Sequence, residues 1–175
     1  MSRAILAMLA ASAMSTSLMD LAQAQPAAAS VRKPPADLAQ LMRGTLYPES
    51  NVVFAAQDTN PADVPHAKDP SMATDPLASQ FGKWEAVENN ALAIAEVADL
   101  LMVPGRKCAN GLDVPLKNPD WAKFVQELRD AGMSAYAAAQ TKNQDKMTDV
   151  ADVMTNACKH CHDQYRDRRK VERCK

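Results

Sequence analysis

The 175-residue chain is poor in the aromatic residues that favour β-strands and in the glycines that the turns of all-β folds use. It contains five glycines and eight aromatic side chains (three Phe, three Tyr and two Trp), and strands are usually enriched in aromatic and β-branched residues. Its apolar fraction of 47% includes ten methionines and many alanines, which are good helix formers. The net charge is −1, so no global field indicates nucleic acid or an anionic membrane as a partner. The composition therefore favours an all-α protein.

Long hydrophobic runs are also scarce, and the N-terminus carries the main one. Residues 1–24 combine an early arginine, an apolar run and a final Ala-Gln-Ala motif, the pattern of a cleaved secretory signal peptide. No other stretch approaches the roughly 20 apolar residues of a membrane span. We therefore expect an exported, soluble periplasmic protein with a linker at residues 25–35. The remaining residues, 36–175, are long enough for one folded domain.

Four patterns with apolar residues at helical spacing follow the linker, at residues 34–58, 76–105, 121–142 and 144–174. Asp37 is the expected N-cap of the first, and Asn118 with Pro119 begins the third. Pro48 is expected to break or kink the first helix, which would restart with Ser50 or Asn51 as its cap. The loop at 59–76 holds four prolines in 18 residues, and the other connections are short. This arrangement predicts an all-α, antiparallel, up-down-up-down four-helix bundle.

The last helical pattern contains the motif Cys158-Lys159-His160-Cys161-His162. A redox cysteine pair usually begins a helix beside strands, whereas this pair lies late in a helix. A structural zinc site needs four ligands, and the sequence offers no second cluster. Cys-x-x-Cys-His is also the attachment signal of a c-type haem, in which the thiols of Cys158 and Cys161 bond the haem and His162 ligates the iron. The predicted export and the helical chain agree best with the haem interpretation. We expect the side chain of His160 to be exposed.

The stretch "CKHCHDQYR" near the C-terminus of a four-helix chain resembles the cytochrome c′ family, including its low-spin members. Small cytochromes c of the ordinary type carry this motif near the N-terminus instead. The resemblance covers residues 36–170 and implies a periplasmic bundle that often forms a homodimer. By matching position it implies one haem c attached to Cys158 and Cys161, with His162 as the proximal ligand. Arg166 would lie near the haem edge or a propionate.

The sixth coordination position of the iron separates two functions in that family. A methionine of the first helix gives a low-spin electron carrier, and here Met42 is the candidate. An open position guarded by an apolar residue, here Leu38 or Leu41, permits binding of nitric oxide or carbon monoxide. In an up-down-up-down bundle, the start of the first helix and the end of the fourth lie at one pole. Met42 as an ordinary core residue is the competing interpretation, and His66 in the proline-rich loop is the remaining candidate ligand.

Of the other two cysteines, Cys108 follows the end of the second helical pattern and Cys174 lies at the end of the fourth. Both ends would lie at the same pole of the bundle, and leftover cysteines of exported proteins commonly form disulfides. We therefore expect an intramolecular Cys108–Cys174 bridge. The alternative is that Cys174 stays free or links two chains.

The C-terminal segment is basic, although the whole chain is almost neutral. Residues 159–175 include three acidic residues and seven basic ones, namely Lys159, Arg166, Arg168, Arg169, Lys170, Arg173 and Lys175. These cations either complement the helix dipole or steer an acidic redox partner.

The sequence shows no Ser-His-Asp set, paired carboxylates or phosphate loop, so we do not expect an enzyme. The predicted function is one-electron transfer between periplasmic redox proteins; the alternative is a five-coordinate haem protein that binds or senses nitric oxide or carbon monoxide.

Overall fold

All regular structure in the described part of the chain is helical. The computed structural model describes residues 33–166 and Cys174, and within them an isolated bridge between Lys107 and Asp113 is the only β-type pairing. The predicted signal peptide, most of the linker and the basic residues at 168–170, 173 and 175 lie outside the described residues. No described helix is long and apolar enough to cross a membrane. The predicted all-α class is thus confirmed.

The N-terminal rod consists of three helical segments that follow one another directly. They are α1 (Leu38–Leu41), a π-helical turn (Met42–Leu46) and α2 (Tyr47–Asp58). Asp37 caps the rod as predicted, because its side chain accepts a hydrogen bond from the Gln40 amide at 2.7 Å. The Asp37 amide donates in turn to the Gln40 side-chain oxygen at 2.9 Å, which completes a capping box.

Pro48 does not break the rod, so the prediction of a break and restart is wrong. The residues before and after the π-helical turn keep right-handed helical backbone angles. Neither Ser50 nor Asn51 is a cap; the Ser50 hydroxyl instead donates to the Tyr47 carbonyl at 3.0 Å. The π turn ends at Leu46, two residues before the proline, and the helix continues through Pro48 to Asp58.

The next helix, α3 (Lys83–Leu100), begins later than its sequence pattern. A separate 3₁₀ turn occupies Pro76–Ala78, and Phe81 is 61% exposed instead of lying on the buried face. Gly82 is the N-cap of α3. A Cβ atom there would lie 2.3 Å from the Leu77 carbonyl oxygen, so the close turn requires glycine.

Helix α4 matches its predicted pattern closely, whereas α5 begins where predicted but ends at Tyr165, before the end of its 144–174 pattern, because the backbone of Arg166 is extended. Helix α4 (Pro119–Gln140) has Asn118 as N-cap and Pro119 at its first position, as predicted. Helix α5 (Gln144–Tyr165) begins after Asn143, whose side chain accepts from the Lys146 amide at 3.3 Å. This helix carries the cysteine motif in its last two turns.

The four helical bodies pack around one core. Helix α3 packs on α4, α4 packs on α5, and α2 packs on both α3 and α5. The centre is filled by large side chains that are almost fully buried, namely Val53, Val87, Ile94, Trp121, Met147 and Met154. Helices α3 and α4 approach closely at Gly132, where a Cβ atom would lie 2.9 Å from the Ala91 carbonyl oxygen. Small residues at this crossing let the two backbones come together.

Candidate functional site

A cavity of about 410 Å³ lies between the N-terminal rod, α4 and α5. This volume falls within the range of roughly 300–1,000 Å³ that is usual for small-molecule and cofactor sites. Most of its wall is apolar, with Leu46, Ile94, Trp121, Phe124, Leu128 and Met154 among the lining side chains. The cavity can therefore enclose a largely apolar ligand.

The predicted attachment residues line this cavity. Cys158, Cys161 and His162 are half-buried and belong to its wall. Residues at i, i+3 and i+4 share one face of an α-helix, so α5 presents two thiols and one imidazole side by side. Both cysteines are free.

The N-terminal rod supplies the candidate sixth ligand and one of the two apolar alternatives. Met42 and Leu38 are half-buried and line the same cavity as His162. Leu41 is only 7% exposed, belongs to the hydrophobic core and does not line the cavity. The structure thus brings Met42 and Leu38, but not Leu41, to the cysteine motif.

The environment of the two free cysteines favours the protonated thiols. Burial raises the pKa of Cys158. Burial, followed by the negative charges of Cys158, Asp120 and Glu127, raises the pKa of Cys161 to about 12. A redox-active cysteine usually has a lowered pKa, so the electrostatics do not favour a redox pair here.

Among the described residues, no group of three or more His, Cys, Asp or Glu side chains is arranged to hold a metal ion, and the zinc interpretation gains no support.

Tyr165 adds a buried hydroxyl group to the cavity wall, which the sequence analysis missed. Its hydroxyl donates to Asp120 Oδ1 at 2.6 Å and accepts from Asn118 Nδ2 at 3.2 Å. Its ring meets Trp121 edge-on, with 4.9 Å between ring centroids. Burial and the hydrogen bond to Asp120 raise the pKa of Tyr165. A sequence signal existed, because Tyr165 is four residues after Cys161 and therefore on the same helical face.

The disulfide predicted between Cys108 and Cys174 is present in the structure. Their Cα atoms are 5.9 Å apart, and the two cysteines are separated by 66 residues in the sequence. Both are buried and line the cavity. The bridge therefore ties the C-terminal end of the chain to the wall of the candidate site. Arg166 lines the same cavity from an exposed position at the end of α5.

The other two histidines lie away from the cavity. His66 is exposed in the proline-rich loop, with its Nδ1 atom 2.9 Å from the Ser79 carbonyl oxygen. His160 has a 52% exposed side chain, and its Nδ1 atom is 2.9 Å from Glu127 Oε2. Neither residue lines the cavity. His66 as an iron ligand therefore gains no support, and the exposure of His160 agrees with the sequence expectation.

No family model, curated protein or solved structure matches the chain. The resemblance to the cytochrome c′ family accordingly stays a prediction from the motif and its position. The function must be argued from the cavity and the residues that line it.

Proposed function

We propose that this protein is an exported monohaem c-type cytochrome that carries single electrons between periplasmic redox proteins. One observation carries the proposal: a single, mainly apolar cavity is lined at once by Cys158, Cys161, His162 and Met42. A haem held there supplies a one-electron Fe(III)/Fe(II) couple. The proposed function is therefore redox transport rather than catalysis.

The two cysteines of the motif suit covalent attachment of a haem. Addition of a thiol across a vinyl group consumes the S–H and C=C bonds and forms C–S and C–H bonds, so it needs no oxidant and expels no leaving group. Cys158 and Cys161 are free, and the raised pKa of each keeps the hydrogen on sulfur. Because they lie one turn apart on α5, they present two sulfur atoms along one edge of the cavity.

The two residues that would ligate the iron come from different helices. His162 lines the cavity from α5, and Met42 lines it from the N-terminal rod. A histidine and methionine pair raises the reduction potential of a c-type haem, and an apolar shell controls solvent access to the site. Trp121 and Phe124 on α4 form part of that shell. This set of residues favours a low-spin electron carrier.

Positive charge at the end of α5 supports the proposed partners. Arg166 is exposed at the cavity and can face a propionate or a partner. Further lysines and arginines follow in the sequence up to residue 175. Such a basic segment would steer an acidic redox protein towards the site, and raising the ionic strength would slow the association.

We also propose the antiparallel, up-down-up-down order for the bundle, because contacts join opposite ends of neighbouring helices. The Gln144 side chain at the start of α5 donates to the Gln57 carbonyl near the end of α2, at 2.8 Å. The Trp121 indole at the start of α4 donates to the Leu101 carbonyl after α3, at 3.4 Å. The hydroxyl of Tyr165, at the end of α5, bonds to residues at the start of α4.

Leu38 supports a second candidate function, the binding of nitric oxide or carbon monoxide. It lines the cavity one helical turn before Met42. If Leu38 rather than Met42 covers the iron, the sixth coordination position stays open to a diatomic gas. The two candidates share the motif on α5 and differ only in the residue that the rod presents.

The deciding experiment is expression in a host that exports proteins and attaches haem, followed by mass spectrometry and absorbance spectroscopy. We expect the mass of the mature chain plus one haem, a low-spin spectrum and the weak far-red band of a methionine–iron bond. High-spin iron with rapid carbon monoxide binding would support the gas-binding function instead. A chain without covalent haem would overturn both.

Matched variants of the motif test the attachment. Replacing Cys158 and Cys161 together by serine should abolish covalent haem. His160→Ala should keep the covalent haem and leave the spectrum unchanged, because that side chain lies outside the cavity. His162→Ala leaves both cysteines of the motif in place but removes the proposed iron ligand, so it should change the spectrum. Equal effects of the two histidine variants would contradict the assigned ligand.

A further inference from the structure

The turn of the N-terminal rod that carries Met42 has π-helical geometry, between α-helical turns on both sides. The Tyr47 amide donates to the Met42 carbonyl, five residues back rather than four. The Thr45 hydroxyl donates to the Leu41 carbonyl at 2.6 Å, so that carbonyl also has a partner. Single π turns are rare and are often found at functional sites.

Two residues four apart, Gly44 and Pro48, explain why the π turn forms at this point. In an α-helix the Gly44 carbonyl would accept a hydrogen bond from residue 48. Proline has no N–H to donate, and its ring clashes with that carbonyl. Glycine weakens the α-helical preference of the same turn by about 1 kcal/mol relative to alanine. The local sequence therefore disfavours α-helical geometry between these two residues.

The π turn changes which side chains of the rod share a face. Five residues along an α-helix correspond to a rotation of about 140°, since each residue turns the helix by about 100°. Leu41 and Leu46 are five residues apart, yet both are 7% exposed and belong to the same core. Leu38, Met42 and Leu46 all line the cavity. The extra residue in the π turn keeps these side chains on the inner face of the rod.

We propose that Pro48, acting with Gly44, is a positioning residue that turns Met42 into the cavity by imposing the π turn. Pro48 itself is exposed and does not line the cavity. Without the π turn, the segment before it would rotate by about 100° relative to α2. Either the Leu41 contacts with the core or the placement of Met42 would then be lost. The effect on iron ligation rests on the proposed function, whereas the effect on helix register does not.

Pro48→Ala tests the proposal, because it restores the missing N–H group and removes the ring. In the haem-loaded protein we expect loss of the methionine–iron band, a shift to high-spin iron and a gain in carbon monoxide binding, as in Met42→Leu. Pro76→Ala is the matched control, since Pro76 is exposed, begins a 3₁₀ turn and lies outside the cavity. Retention of the native spectrum by Pro48→Ala would overturn the proposal.

A compensating deletion separates helix register from a general loss of stability. Removing Gly44 from the Pro48→Ala chain shortens the segment by the one residue that the π turn accommodates. Leu41 and Leu46 then become four positions apart, and an ordinary α-helix places both on one face. We expect this double variant to fold and to regain the methionine–iron band, even if Pro48→Ala alone does not fold. If the native protein shows the methionine–iron band and the double variant lacks it, the proposal is also overturned.

The helix register can be read without reference to the iron. Nuclear magnetic resonance or a crystal structure identifies the carbonyl that accepts the Tyr47 amide hydrogen. We expect the Met42 carbonyl in the native chain and the Arg43 carbonyl in Pro48→Ala. If the native spectrum lacks methionine ligation, the proposed electron-carrier function fails, and this register measurement still decides the role of Pro48. An acceptor unchanged in Pro48→Ala overturns that role.

Discussion

Tyr165 donates its hydroxyl hydrogen to Asp120 Oδ1 at 2.6 Å, and this bond joins the last turn of α5 to the first turn of α4. Tyr165 is 4% exposed and also accepts a hydrogen bond from Asn118. The bond lies in the wall of the cavity, one turn beyond Cys161. It therefore fixes the end of the helix that carries the motif, where a free terminus would otherwise fray.

Tyr165→Phe should destabilise the protein by about 2 kcal/mol, the usual cost of losing a hydrogen bond to a charged group. The ring remains packed against Trp121, so the loss reports mainly on the hydroxyl. Urea denaturation of the two proteins measures the difference. Tyr136→Phe is the matched control, because the Tyr136 hydroxyl is bonded only to the exposed side chain of Gln140 among the described contacts. Equal losses in both variants would contradict the assigned role.

The Cys108–Cys174 disulfide should contribute about 4 kcal/mol to stability, because it restricts a long loop in the unfolded chain. Replacing both cysteines by serine should lower the urea midpoint accordingly. On a gel without reducing agent, the native chain should run as a monomer. A dimer that reducing agent converts to monomer would show that Cys174 links two chains instead.

Glu49 should make stability fall as the pH rises through its folded-state pKa. Its Oε2 atom is the one buried side-chain nitrogen or oxygen without a hydrogen-bond partner among the described residues. Burial raises the pKa of Glu49 above the ordinary glutamate value of 4.5. The folded state then holds the proton more tightly than the unfolded state, so the stabilisation is complete below pH 4.5 and is lost above it.

Glu49→Gln should therefore remove this part of the pH dependence and raise stability at pH 7. Thermal denaturation between pH 4 and pH 7 measures both effects. Glu96→Gln, at an exposed position on α3, is the matched control. A native slope that survives Glu49→Gln would contradict the prediction.

Met42→Leu should convert the haem-loaded protein from low-spin to high-spin iron and open it to carbon monoxide. Leucine fills a similar volume, so we expect less than about 1.5 kcal/mol of destabilisation. Absorbance spectra before and after exposure to carbon monoxide provide the measurement. Met133→Leu, on an exposed part of α4, should leave the spectrum unchanged. A low-spin spectrum in Met42→Leu would show that another residue ligates the iron.

Gly132→Ala should destabilise the bundle by about 1–3 kcal/mol, because overpacking forces the backbone to shift. The added Cβ atom would lie 2.9 Å from both the Ala91 carbonyl oxygen and the Ala95 amide nitrogen. Thermal denaturation gives the loss, with Ser134→Ala at an exposed position of the same helix as the control. If Gly132→Ala is as stable as its control, α3 and α4 are not in close contact at this point.

Local signals predicted much of the fold because they depend on neighbouring residues. Asp37 with Gln40 forms the expected capping box, and Asn118 with Pro119 begins α4 where the sequence indicated. The predicted break of the first helix at Pro48 was wrong. A proline excludes an ordinary α-helical turn, but a π turn avoids the conflict while the packing of the rod continues. Sequence spacing alone did not distinguish a break from a π turn.

The sequence by itself determined that the described part of the chain is helical and that Cys158, Cys161 and His162 share one helical face, because an α-helix has a fixed period. It also indicated the cysteine pair that forms the disulfide. Only the tertiary structure decided that Leu38 and Met42 line the cavity while Leu41 enters the core. Residues more than a hundred positions apart, such as Met42 and Cys158, meet through helix packing, which does not follow from the local periodicity of the sequence.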